Sequence, residues 1–241
     1  MATITAHVDP ERRAMATERY TRVAITLHWL IATAILYNLT SGLLNDVLPR
    51  WFFVFHVSSG LTILILSVAR VVWRLTHKPP RLLPMQGWER GLAHGVHFLL
   101  YAAMLLIPFS GWAMISARPP VGSPGAAWSD AHPAEHRPAP VRAKPGEQGK
   151  TAPAPRRRQA PMFWGVVPVP MIGAINEIGR TPDRVPEQRA LHERIETVHS
   201  LGGWVLLALF VLHVAGALKH QWIDREPELA RMGVGRRTRT T

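Results

Sequence analysis

The stretch TVHSLGGWVLLALFVLHVAGAL (197–218) decides the fold. Its residues are almost all apolar and none is charged, and twenty-odd such residues are enough to cross a bilayer as one helix. His199 and His213 lie fourteen positions apart in it. That is nearly four helical turns, so both imidazoles point to one face, about 21 Å apart along the axis. The hydrocarbon core is about 30 Å thick, so one histidine falls near each side of it. An ionisable side chain inside a membrane is costly and marks a functional site by default. Two on one face suit ligands for two buried cofactors.

Three more spans precede this one. The first runs uncharged from Val23 to Leu44 and carries His28. The second begins at Trp51, carries His56 and leaves through Arg70, Arg74 and Lys78. The third, Gly91 to Ala117, carries His94 and His97 and has a kink expected at Pro108. The apolar run after the polar N-terminus is too long for a signal peptide and lacks a small-residue cleavage site. The expected fold class is therefore all-α, an integral membrane bundle of four transmembrane helices.

Composition agrees and excludes. The 241 residues are 47% hydrophobic, while mean hydropathy is only +0.04, because apolar runs alternate with a very polar middle. No cysteine is present. Disulfides, Cys-ligated iron–sulfur clusters, thiolate nucleophiles and the covalent attachment of a c-type haem are thereby excluded. The net charge of +12 could suit nucleic acid, but Lys and Arg sit mostly beside apolar spans or in a Pro-rich loop. That distribution reads as membrane topology and not as a nucleic-acid surface.

Short-loop charge sets the expected orientation. The N-terminus, the 70–90 loop and the C-terminus are rich in Arg and Lys, whereas the 45–50 connection holds one Arg and one Asp. Both termini are expected in the cytoplasm of a bacterial inner membrane. Trp51, Trp112, Trp204 and Trp222 include candidate interface anchors. The chain then divides into a cytoplasmic tail (1–19), spans one to three (20–118), a periplasmic insertion (119–161), a cap and approach (162–196), the fourth span (197–222) and a basic cytoplasmic tail (223–241). The insertion is Pro-, Ala- and Arg-rich, with Trp128 its lone aromatic over 119–160, and is expected to be disordered. Residues 162–178, interrupted by Pro168 and Pro170, are too short to span and are expected to cap the bundle.

Depth pairs the histidines. With the N-terminus inside, His28 and His213 fall near the cytoplasmic ends of their spans, and His56 and His199 near the outer ends. Two neutral imidazoles on facing helices suit the axial positions of a haem iron. Four residues after each comes a small residue, Ala32, Gly60, Gly203 and Ala217. That neighbour lies on the same helix face, where a flat macrocycle needs room. Small residues also serve plain helix packing in membranes. His94 and His97 share a face and are rivals at the cytoplasmic level, or contacts for a propionate or quinone. His192 faces as His199 does, about 10 Å further out. His7, His77, His132, His136 and His220 read as loop or interface residues, and Arg22, Arg70 and Arg74 as topology residues near the expected propionates.

These residues carry a family resemblance. The segments YTRVAITLHW (20–29), HVSSG (56–60), GLAHGVH (91–97) and the His199–His213 pair followed by VAGALKH (214–220) resemble the bacterial cytochrome b561 family, four-helix dihaem b-type membrane cytochromes. The resemblance covers 20–118 and 162–233; the insertion departs from the family's compact pattern. It implies His28, His56, His199 and His213 as axial ligands of two haems b. It also implies electron transfer involving membrane quinone, with an outer electron partner left unidentified. A homodimer is compatible with it. Two other classes stay open: a membrane-anchor cytochrome b subunit of a larger dehydrogenase or hydrogenase, and a haem-free transporter or sensor. A transporter would ordinarily show paired charges or broken helices within its spans, and neither is evident here.

Overall fold

The structure is a computed structural model, and it describes residues 19–80, 86–132, 161–226 and 228–235. The long helices are α1 (Arg22–Leu43), α2 (Arg50–Thr76), α3 (Gly87–Ser116) and α6 (Val185–Trp222). Between α3 and α6 lie α4 (Pro124–Ala131), the two-residue strands β1 (Met162–Phe163) and β2 (Val167–Pro168), α5 (Gly173–Asn176), and 3-10 turns at Glu177–Arg180 and Pro182–Arg184; α7 (Glu228–Arg231) follows α6. Among the described residues, four helices are long and apolar enough to cross a membrane. The chain is mostly helical, as expected, and forms two compact units, 1–48 with 59–108 and 201–241, and 49–58 with 109–200.

In the first unit, α1 starts where Thr21 caps it, the Oγ1 accepting from the Ala24 N–H at 3.2 Å. Its Ile31, Ile35 and Leu39 recur every fourth residue, hence on one face, and bury against Ile63, Ala103, Met104 and Leu206. The opposite faces stay apolar and exposed at Leu36, Ile65, Leu106 and Trp204. In water such surface would be an aggregation liability; in lipid it is the expected exterior. Close approach of α3 and α6 depends on Gly202, where a Cβ would stand 3.0 Å from Ile107 Cγ1. The helix α3 runs through Pro108 without a break.

The second unit holds the segment between the third and fourth spans. A tight turn joins β1 to β2, with Trp164 at φ 49° and Gly165 at φ 72°. Glycine adopts that conformation freely, and Trp164 adopts it under strain. The Trp164 N–H donates to Ser58 Oγ at 2.9 Å, holding the hairpin on α2. Trp112 Nε1 donates to the Pro170 carbonyl at 2.7 Å, tying α3 to the same segment. Buried Gln188 donates from Nε2 to the Ile175 and Asn176 carbonyls at 2.9 and 3.0 Å, which satisfies the end of α5.

Two expectations change. The fourth helix begins at Val185, twelve residues before 197. Its first turns are charged, and pairs such as Arg189–Glu193 at 3.1 Å support them. Part of the insertion expected to be disordered is helical: Ser123 caps α4 by accepting from the Ala126 N–H at 3.1 Å, and Pro124 occupies the first helical turn. Gly125 lets α4 lie on Gly179, where a Cβ would fall 1.9 Å from the carbonyl oxygen. Residues 133–160, the tail before 19, and His7 and His136 lie outside the described residues.

Candidate functional site

The structure brings the four histidines together in two pairs. In the first unit, α1 presents His28 and α6 presents His213, with ring centroids 6.1 Å apart and planes at 65°. In the second, α2 presents His56 and α6 presents His199, at 6.3 Å and 79°. Two imidazoles bound on opposite faces of one iron, each with a metal–nitrogen bond of about 2 Å, have ring centroids about 6 Å apart. Both pairs fit that spacing. His97 also approaches His213; all three ring pairs meet edge to face, but at 5.1 Å this one is closer than the spacing an iron needs. Among the described residues, no group of three or more His, Cys, Asp or Glu side chains could hold a metal ion.

The two glycines one turn on from the His56 and His199 rings have different surroundings. One turn on from His199 along α6, a Cβ at Gly203 would meet nothing within 4 Å. One turn on from His56 along α2, a Cβ at Gly60 would stand 3.6 Å from Asn38 Oδ1.

The surroundings of the pairs differ. In the first unit, Arg70 reaches from α2, donating from one terminal nitrogen to the Ala24 carbonyl at 3.1 Å and from the other to His28 Nδ1 at 3.3 Å. Its guanidinium also stands 5.8 Å above the Tyr101 ring. A guanidinium cannot accept, so Nδ1 is the acceptor there. A neutral imidazole has a single lone-pair nitrogen, so iron ligation through Nε2 requires Arg70 to release Nδ1. Trp29 stacks edge-on against His28 at 5.2 Å and donates from Nε1 to the Met232 carbonyl at 2.9 Å, bringing the residues after α7 beside the pair. In the second unit, Ser110 of α3 lies 3.0 Å from His199 Nδ1 through its Oγ. Phe53 stacks parallel to His56 at 6.3 Å. Phe109, Ser110, Ala113, Arg194, Ile195 and Val198 line an open apolar groove of about 270 Å³.

The other described histidines make hydrogen bonds or ring contacts of their own. His192 Nδ1 donates to the Met114 carbonyl at 3.0 Å. His94 and His97 donate from Nδ1 to the carbonyls four residues back, Arg90 and Ala93, at 2.8 and 2.6 Å. His77 stacks on Trp73 at 3.6 Å, His132 caps α4, and His220 pairs with Asp224 at 2.8 Å. Lys219 bridges Asp224 and Glu89, both at 2.8 Å. Sequence reasoning missed Ser110. A serine on an apolar helix is common packing material, and only the fold shows that it meets His199.

The chain is 26% identical over 222 residues to cytochrome b561 homolog 2 of Escherichia coli K12, covering 89% of this chain and 91% of that protein. It is 28% identical over 106 residues to the probable superoxide oxidase CybB of Yersinia pestis, covering 42% of this chain and 60% of that one. With cytochrome b562 of Cereibacter sphaeroides it shares 33% over 102 residues, 38% and 63% of the two chains. In the Yersinia and Cereibacter cases the chain thus spans less than two thirds of the relative's length. These likenesses support haem b as cofactor, electron transfer as the class of activity, and a multi-pass bacterial membrane protein. The family model for prokaryotic cytochrome b561 matches residues 19–235, nearly the whole described chain, and the chain belongs to that family.

Proposed function

We propose that the chain carries electrons across the bacterial plasma membrane by means of two haems b. His28 and His213 hold one, and His56 and His199 hold the other. The observation that carries this reading is the pair of centroid separations, 6.1 and 6.3 Å, on helices of one bundle-forming chain. Each histidine would supply a neutral imidazole nitrogen to hold the haem iron. Haem b supplies one-electron chemistry when bound. The apolar helix faces keep water from the imidazoles, and the bundle interior is where such cofactors sit. With both termini cytoplasmic, the His28 pair is the inner one and the His56 pair the outer one. The 70–90 loop charge supports that orientation. Family membership supports quinone as one electron partner.

The test is the visible spectrum and haem-to-protein ratio of the purified membrane protein. Two non-covalent haems per chain are expected; no haem signal, or a single haem, would overturn the reading. Orientation has its own test. Protease added to intact spheroplasts should cut within 119–160 and spare both tails, and cleavage of the tails first would reverse the assignment.

The likeness to the probable superoxide oxidase of Yersinia pestis favours a second reading of the outer partner. In it, superoxide gives one electron at the outer side and leaves as dioxygen, and quinone takes two such electrons and two protons to become quinol. Superoxide generated enzymatically should then reduce the purified protein, and added quinone should reoxidise it. Failure of superoxide to reduce it, with quinol still active, would remove this reading alone.

A further inference from the structure

We propose that Ser110 and Gly111 of α3 are positioning residues for the axial His199, and that through it they set the potential of the haem it holds. The proposal rests on the ligand assignment made above. Ser110 Oγ stands 3.0 Å from His199 Nδ1. With Nε2 directed to iron, Nδ1 carries the proton, and the serine hydroxyl accepts it. That bond selects the tautomer and turns the ring. Next to it, a Cβ on Gly111 would stand 3.0 Å from His199 Cε1 and 3.4 Å from Nδ1. Real Cβ atoms very seldom come so close, so glycine is what lets the Cε1 edge of the imidazole approach α3.

The sequence places the two side by side. Ser110 grips one nitrogen and Gly111 clears the adjoining ring edge, so two successive residues fix both the rotation and the seat of the imidazole. A hydrogen bond accepted from Nδ1–H increases electron donation from imidazole to metal. It therefore favours the ferric state and lowers the potential. A neutral hydrogen bond is worth about 1 kcal/mol, so its loss should shift the reduction equilibrium about fivefold.

The experiment is a redox titration of the haem-loaded full chain, with the His199 haem identified as the midpoint that His56→Ala removes. Ser110→Ala should keep both haems and raise that midpoint only. Ser110→Thr, which restores the hydroxyl, should return it towards the parent value. Gly111→Ala should keep the haem but change its low-spin electron paramagnetic resonance signal, because the ring must shift by a few tenths of an ångström. Unchanged midpoints in Ser110→Ala, a shift confined to the other haem, or a Ser110→Thr protein indistinguishable from Ser110→Ala would each overturn the proposal. The ligand assignment fails separately: it falls if His199→Ala retains both haems.

Discussion

The two histidine pairs look alike in spacing and differ in what faces them. His28 meets Arg70, a cation that can only donate, at 3.3 Å. His199 meets Ser110, a neutral hydroxyl that can accept, at 3.0 Å. Equal spacing sets what the pairs can bind. Unequal neighbours set how readily each bound group takes an electron. A fixed cation beside one site favours its reduced state, and an acceptor on the ligand of the other favours its oxidised state. Were each pair to hold a haem as proposed, both effects would act in one direction, making the His28 site the better electron acceptor.

The largest expected effect comes from crowding one site. Gly111→Val places a branched side chain where even a Cβ is already 3.0 Å from the His199 ring. The haem-to-protein ratio should fall from two to one, leaving the His28 site filled. Loss of both would mean that the two sites do not fold independently, and the comparison would break.

A smaller effect should follow from the cation. Arg70→Gln keeps a hydrogen-bonding side chain but removes the charge. At an effective dielectric near 20 and a separation of roughly 8–10 Å, a unit charge is worth on the order of 2 kcal/mol. The midpoint of the His28 haem should drop by about the corresponding amount while the other stays fixed. An equal drop in both would assign the effect to overall charge and not to the neighbour.

The smallest effects should come from exposed carboxylates, one in each unit. The hydrogen bond from Arg180 holds the Glu177 carboxyl below its ordinary 4.5. Those from Lys219 and His220 hold Asp224 below its ordinary 3.8. A lowered carboxylate contributes stability that is present above the ordinary value and lost as pH falls through the lowered one. Glu177→Gln and Asp224→Asn should therefore lose that contribution between pH 5 and 8, but the fall in melting temperature should be slight and haem content untouched, since exposed pairs contribute little. Haem loss in Asp224→Asn at neutral pH would show that the Lys219–Asp224 contact supports the His28 site.

The sequence-based reading was strongest where long apolar runs left little choice. The expected first span, 23–44, compares with α1 at Arg22–Leu43, because no charged residue interrupts it and Thr21 stands at its start. The fourth helix extends twelve residues before the expected span, which opens at 197. Its stretch from Val185 to Glu196 is amphipathic and salt-bridged, so the membrane signal stops while the helix continues. The helix α4 was missed because Pro124, Ala126 and Ala127 resemble the Pro/Ala-rich stretch that follows. Only the cap at Ser123 and the seat of Gly125 on Gly179 distinguish it. The pairing of His28 with His213 and of His56 with His199 follows from helical periodicity and depth. Their neighbours do not: Arg70 read as a topology residue, and Ser110 gave no signal. Which side chains meet across helices depends on rotation of each helix about its axis, and uniformly apolar spans encode that rotation weakly.

The central claim is that each haem belongs to one named pair. It is tested most directly by haem-to-protein ratio and redox titration of the four single variants His28→Ala, His213→Ala, His56→Ala and His199→Ala, with His97→Ala as the comparison. One haem is expected in each of the first four. His28→Ala and His213→Ala should lose the same midpoint, His56→Ala and His199→Ala should lose the other, and His97→Ala should keep both. Loss of a haem in His97→Ala together with two haems in His28→Ala would contradict it, and would make His97 the partner of His213.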